Sequence, residues 1–185
     1  LWASFLGYTL DAMDWQMFAF IIPLIIAYWG ISSADAGMVA TVTMVGAALG
    51  GWIMGILAEY FGRVKLLMAT ILIYSVFTGC SALAQNLEQL MVFRFLVGLG
   101  LGAEWGVAQT LVSESWPSKY RGRASSFVHS GWTIGYALAA ILFILVAPHW
   151  GWRGMFAIGV LPALMVVYVR KHVEESPLYL KLEEE

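Results

Sequence analysis

Two aspartates three residues apart, Asp11 and Asp14, stand inside one apolar, helix-length run, and Arg94 and Glu104 stand inside another. A spacing of three puts both aspartates on one helix face. Carboxylates that close repel each other, which favours keeping a proton on one of them. Arg94 stays charged and needs a carboxylate beside it. A pairing of Arg94 with Asp14 can be read in two ways: a fixed lock within a helix bundle, or a pair that opens and closes during function. Glu104 lies about 15 Å along the helix axis from Arg94. Its chemistry suits a proton carrier, a cargo contact, or a carboxylic acid hydrogen-bonded to a neighbouring helix. His129 falls near the start of a later apolar run, where a capping or interfacial role fits better than a proton relay. His149 and His172 have no metal-ligand spacing. No nucleophile–base arrangement, metal cluster or phosphate loop is readable, so neither an enzyme nor a cofactor is expected.

The elements that carry these charges are made for lipid. Of 185 residues, 61% are hydrophobic and 12% charged, against roughly 25% charged in ordinary soluble domains. A soluble core of this size needs more polar surface than that. Nine Trp, eight Tyr and ten Phe suit a bilayer interface. The net charge of −2 gives no general basic field, so no nucleic-acid partner is expected. Cys80 is the one cysteine and cannot form an internal disulfide.

A bilayer crossing takes roughly 20 mainly apolar residues. Six such segments can be laid out, at about 4–28, 36–58, 66–84, 89–112, 125–147 and 153–170. Their connections alternate in charge. Arg63, Lys65, Lys119, Arg121, Arg123, Arg170, Lys171 and Lys181 fall on one side, Arg153 alone falls on the other, and Arg94 lies within a span. The positive-inside rule places the basic side, and with it both ends of the chain, in the cytoplasm. Glycines recur at four-residue spacing: Gly46, Gly50 with Gly51, and Gly55 in the second span, Gly98, Gly102 and Gly106 in the fourth, Gly131 and Gly135 in the fifth. Small residues so spaced let helix backbones approach closely in lipid. The intramembrane charges fall on spans one and four, the first members of two three-helix sets, as expected of an inverted three-plus-three repeat with its site at the repeat interface.

The second and third spans are joined by Gly55-x-Leu-Ala-Glu59-x-x-Gly62-Arg63-x-Lys65. This stretch resembles the loop signature of the major facilitator superfamily. Three further stretches are similar to that family's fourth helix, next basic loop, and sixth helix with its exit. They are Arg94-Phe-Leu-Val-Gly98-Leu-Gly100-Leu-Gly102, then Glu114-Ser-Trp-Pro117 with Arg121-Gly-Arg123, then Trp150-Gly-Trp-Arg153 with Pro162 and Glu175-Ser-Pro177. The loop departs from the usual signature in carrying Glu59 for Asp and in Val64, which interrupts the basic run. Asp11-Ala-Met-Asp14 looks like the Asp-x-x-Asp pattern of proton symporters for aromatic acids, sialic acids and monocarboxylates, with Ala12 in place of the common Gly. Gly102-Ala-Glu104-Trp105 leans toward the sialate and lactate branch. Tyr136 stands where the antiporter pattern has Pro, which counts against drug efflux.

The resemblance implies an all-α membrane protein, six transmembrane helices forming one half of a major facilitator fold. Residues 1–170 would be the N-terminal domain and 171–185 the start of a cytoplasmic central linker, with the C-terminal six-helix half absent. The opening at Leu1 within apolar sequence and the close in Lys181-Leu-Glu-Glu-Glu185 fit a piece of something larger. The implied function is proton-coupled symport of a small organic anion across a plasma membrane, the bacterial inner membrane, by alternating access. A sugar or polyol porter, or a non-transporting sensor on the same scaffold, are the alternatives. Asp11, Asp14, Arg94 and Glu104 would handle proton and cargo. Gly55, Glu59, Gly62, Arg63, Lys65, Glu114, Arg121 and Arg123 would form the cytoplasmic latch, with the three arginines holding a network around Glu59 and Glu114. The implied partners are the anion, protons, the lipid bilayer and the missing half.

Overall fold

Lipid offers a backbone no hydrogen-bond partner, so an apolar chain that crosses it must satisfy its own amides within helices. The computed structural model, which describes residues 1–172, follows that rule: its elements are α1 (Trp2–Trp29), α2 (Ser33–Phe61), α3 (Arg63–Ser81), α4 (Leu87–Ser115), α5 (Ser118–Ile158) and α6 (Ala163–His172), and the described residues contain no strand. The first five are long and apolar enough to cross a membrane. The expected linker from 173 onward, with Glu175-Ser-Pro177 and Lys181, lies outside the described residues.

Short polar signals end and restart the helices. Gly30 closes α1 in the left-handed region (φ 64°, ψ 28°), its N–H reaching Ile26 O at 2.9 Å. Ser32 and Asp35 then form a capping box that starts α2, with Asp35 N donating to Ser32 Oγ at 3.1 Å and Ser32 N to Asp35 Oδ2 at 3.0 Å. Asn86 caps α4 by accepting from Gln89 N at 2.8 Å. Gly62 alone separates α2 from α3.

The sixth expected segment differs from the prediction. The break between it and the fifth is a kink at one residue, Gly151 (φ 60°, ψ −160°), a conformation open essentially to glycine, within the stretch Ser118–Ile158. The sixth segment is not one span. Its helix stops at Ile158, passes through turns at 159–162, and resumes as the ten-residue α6. Pro162 has no N–H to continue an α-helix. The backbone stays satisfied through tighter bonds, Val160 N to Ala157 O, Leu161 N to Ile158 O and Ala163 N to Val160 O.

Two close pairings build the bundle: α1 packs along α5, and α2 along α4. These pairings exchange if the first three helices are swapped with the last three, as an inverted repeat requires. The glycines make them possible. A methyl at Gly46 or Gly50 would strike the carbonyls of Phe95 or Leu99, one at Gly98 or Gly102 those of Thr43 or Ala47, and one at Gly135 that of Thr9. Gly55 and Gly106, placed in the same stripes by spacing, meet nothing within 4 Å. Behind these pairs α3 lies against α4 and α6. At one end of the bundle stand the starts of α1, α3 and α5 and the finishes of α2, α4 and α6, joined through Ala58, Leu66, Leu111 and Val169 and through Phe5 and Ala124. That end carries Arg63, Lys65, Lys119, Arg121, Arg123 and Lys171, whereas Arg153 sits at the other, its Nη1 donating to Ala82 O at the finish of α3 at 2.7 Å.

Candidate functional site

Three helices converge on Asp14. The carboxylate comes from α1, Arg94 from α4 and Thr78 from α3, and all three side chains are buried. Arg94 Nη1 donates to Asp14 Oδ2 at 3.1 Å, and Thr78 Oγ1 donates to Asp14 Oδ1 at 2.8 Å. The guanidinium lies over the Phe18 ring, 4.4 Å from its centroid, with Phe156 at 5.7 Å. Aromatic faces attract a desolvated cation, so the rings replace part of the water that Arg94 has lost. The pairing is single, not the two-pronged form an arginine can make with a carboxylate. Nε and Nη2 of Arg94 are buried with no acceptor among the described residues. Donors left over in a dry site are costly, and an anion entering beside Arg94 would satisfy them.

Nearer the start of α1 lies a second acidic group. Asp11 is close to Glu104 of α4, with Tyr74 of α3 beside them. All three side chains are buried, and among the described residues neither carboxylate nor the Tyr74 hydroxyl has a partner at hydrogen-bonding geometry. Carboxylates in a dry interior are costly to leave without partners.

Spacing alone groups Asp11 with Asp14 and leaves Glu104 without a neighbour. The structure holds the expected Asp14–Arg94 pair and sets Glu104 beside Asp11 instead. The sequence reading also missed Tyr74 and Thr78. Both are uncharged residues in an apolar run, but their spacing of four puts them on one face of α3, which was the available signal. His129 does not cap a helix; it stacks on Tyr8, with ring centroids 4.9 Å apart and planes at 7°.

At the basic end, Arg63 Nη2 pairs with Glu114 Oε1 at 3.0 Å, and its Nη1 donates to Ala58 O at 3.0 Å. This ties the start of α3 to the finishes of α4 and α2. Among the described residues, Glu59 itself joins no network of the kind expected around it. Glu59, Lys65, Arg121 and Arg123 are exposed and enter no ion pair among the described residues. Gly62 supplies the turn at φ 91°, which brings Arg63 back beneath Ala58, and Gly55 faces open space.

A family model described as the Major Facilitator Superfamily matches residues 4–184. The chain belongs to the major facilitator superfamily. It is 43% identical over 180 residues to the niacin transporter NiaP of Acinetobacter baylyi, covering 97% of this chain and 41% of that protein. It is 39% identical over 181 residues to the sialic acid transporter NanX of Escherichia coli K12, covering 98% and 45%. The inward-open xylose transporter XylE from E. coli superposes with a TM-score of 0.82 at 22% identity, over 98% of this chain and 49% of that one. The chain thus spans less than half the length of the curated relatives, and its fold is one half of the superfamily fold, in a multi-pass membrane protein. The relatives and the solved structure named here are transporters.

Proposed function

We propose that this chain is the N-terminal half of a proton-coupled symporter for a small organic anion, working by alternating access, with residues 1–170 as the transmembrane domain and 171–185 as the start of its central linker. The observation that carries the reading is the three-helix junction at Asp14, where a buried Arg94 retains two unsatisfied N–H donors. A carboxylate is the group that would satisfy them. The cargoes named for the NiaP and NanX relatives, niacin and sialic acid, are both carboxylic acids.

In this mechanism the proton enters at Asp14 or at the Asp11–Glu104 pair. Protonation of Asp14 weakens its hold on Arg94, which turns its free N–H groups to the cargo carboxylate. The neutralised site then lets this half rock against its partner half. Release of the proton and the anion on the far side restores the Arg94–Asp14 pair. The basic end faces the cytoplasm of a bacterial inner membrane, where Arg63 and Glu114 brace the α2–α3 turn and Glu59 is left to meet the partner half. A helix N-terminus there would suit its charge.

The test uses the full-length carrier in liposomes with an imposed pH gradient. Asp14→Asn should abolish uphill uptake of a carboxylate cargo while leaving exchange of internal for external cargo. Undiminished uphill uptake by that variant would sink the proton assignment.

A further inference from the structure

Arg153 stands at the end of the bundle opposite the basic loops, two residues after the Gly151 kink, and enters no ion pair among the described residues. Other groups hold it. Its Nη1 donates to Ala82 O at 2.7 Å, one of the carbonyls left over where α3 finishes. The negative end of the α3 dipole favours a cation at that point. The guanidinium also lies over the Trp152 ring, 4.4 Å from its centroid, and 5.6 Å from that of Tyr28 at the finish of α1.

The basic end carries the same device. Gly62 (φ 91°) breaks the chain between α2 and α3, and Arg63 follows it, donating to Ala58 O and pairing with Glu114 at the finish of α4. Swapping the first three helices with the last three carries Gly62 onto Gly151 (φ 60°), and the finish of α4 onto the finish of α1, where Tyr28 lies. Arg153 is thus the inverted-repeat counterpart of Arg63, with ring faces in place of the glutamate.

The two elements that Arg153 joins are the ones that dress the buried ion pair. Thr78, one turn before Ala82 on α3, donates to Asp14, and Phe156, one turn after Trp152, lies beside Arg94. Between these points the elements touch, since a Cβ on Gly159 would strike the Thr78 methyl. Trp152 meets Phe156 edge to face at 6.0 Å and 85°. Phe156 in turn lies along Phe18 at 6.4 Å, the ring over which the Arg94 guanidinium sits. A close-packed interior passes a displacement on from ring to ring.

We propose that Arg153 is a positioning residue for the Asp14–Arg94 pair: by tying residues 152–158 to the finish of α3, it keeps Phe156 against Arg94 and Thr78 on Asp14. It touches neither cargo nor proton. The consequence for transport rests on the organic-anion reading above, whereas the positioning itself does not.

The experiment follows the Arg94 guanidinium by NMR in the full-length carrier, purified in detergent with isotope-labelled arginine. The signal lost in Arg94→Lys assigns it, and the Phe18 and Phe156 rings should displace it from the signals of exposed arginines. Arg153→Gln, which loses the charge and the planar fork, should move that signal. Arg153→Lys can still reach Ala82 O and should move it less, and Lys119→Gln, at the opposite end, should leave it in place. Uptake is then measured in liposomes with an imposed pH gradient, for whichever of nicotinate or N-acetylneuraminate the carrier takes up. Arg153→Gln should raise that KM roughly threefold to tenfold with little change in kcat, because a displaced Arg94 meets the carboxylate less well. An Arg94 signal that stays put in Arg153→Gln, or in Arg153→Lys should the glutamine variant not fold, overturns the positioning role. A displaced signal in a carrier that takes up neither acid overturns the organic-anion reading and leaves the tie standing.

Discussion

Arg94 and Asp14 meet where almost no water reaches either side chain, with relative exposures of 0% and 1% and a separation of 3.1 Å. Taking both charges out of water costs several kcal/mol per ion, roughly, and the attraction between them repays that cost only when remaining donors and acceptors are also satisfied. Asp14 meets that condition through Thr78. Arg94 does not, because two of its nitrogens have no acceptor among the described residues and the rings of Phe18 and Phe156 lie beside the guanidinium. The imbalance lies on the cationic side. A pair built solely for stability would close it, whereas a pair that must release its arginine to another anion would keep it open.

The two members of that pair should be strongly non-additive. Arg94→Met leaves Asp14 buried with Thr78 alone and should cost about 3–5 kcal/mol of stability. The double variant Asp14→Leu with Arg94→Met removes the stranded charge and should recover most of that loss. Thermal unfolding of the purified full-length carrier in detergent reads both. A double-variant loss equal to the sum of the losses in Arg94→Met and Asp14→Leu alone would show that the two side chains are energetically independent.

The Arg63–Glu114 contact should matter more than its neighbours in the same loop. Arg63 ties three helix ends together through Glu114 and the Ala58 carbonyl, and it is nearly buried. Arg63→Ala should therefore lower stability by about 1–3 kcal/mol. Glu114→Gln, which keeps the shape and loses the charge, should fall in between. Lys65 is exposed with no ion pair among the described residues, so Lys65→Ala should leave the unfolding temperature unchanged. A similar loss at Lys65 and Arg63 would mean that overall positive charge, not this contact, braces the loop.

Much of this molecule is legible in the chain because lipid simplifies the problem. Apolar length fixes each crossing, and the basic residues sort the connections, so five of the six spans and the grouping of the chain ends follow from counting. The sixth span escapes this logic. Its apolar content is continuous from Met155 to Val169, but Gly159 and Pro162 impose tighter backbone bonds that hydropathy does not register. The site was half legible for a related reason. A charge in an apolar run announces itself, whereas Thr78 and Tyr74 look like ordinary span residues until the packing of α3 against α4 brings them to Asp14 and Asp11. Which acid faces which depends on helix rotation, and the glycine contacts between α2 and α4 and between α1 and α5 set that rotation.

Those glycine contacts should be intolerant of a single methyl. At Gly102 an added Cβ would run into the carbonyl of Ala47, and at Gly50 into that of Leu99. Backbone cannot swing aside as a flexible side chain can, so Gly102→Ala and Gly50→Ala should each cost about 1–3 kcal/mol through overpacking. Gly37, at the start of the same helix α2, has nothing within 4 Å of its Cβ position. Gly37→Ala should be neutral or slightly stabilising, since alanine is the better helix former by about 1 kcal/mol. Unfolding temperatures of the three variants decide the matter. Equal tolerance at Gly37 and Gly102 would mean that α2 and α4 do not meet backbone to backbone.

The orientation proposed from charge can be read directly with cysteine labelling. Cys80 is the only cysteine of these 185 residues and is partly buried in α3, so Cys80→Ser, with any cysteine of the partner half also replaced, gives a clean background. In that background Lys65→Cys and Lys119→Cys place exposed thiols at the basic end, and Trp150→Cys places one at the opposite end, where Trp150 is 71% exposed beside the Gly151 turn. A membrane-impermeant maleimide added to intact cells should label the thiol at 150 and spare those at 65 and 119. In inside-out vesicles the pattern should reverse. The basis is that translocation retains short basic loops on the cytoplasmic side, and the basic end here carries six of the Lys and Arg positions described, against Arg153 alone at the other. Labelling of the thiol at 65 from outside intact cells would invert the topology, and the Arg63–Glu114 brace would then belong to an external gate.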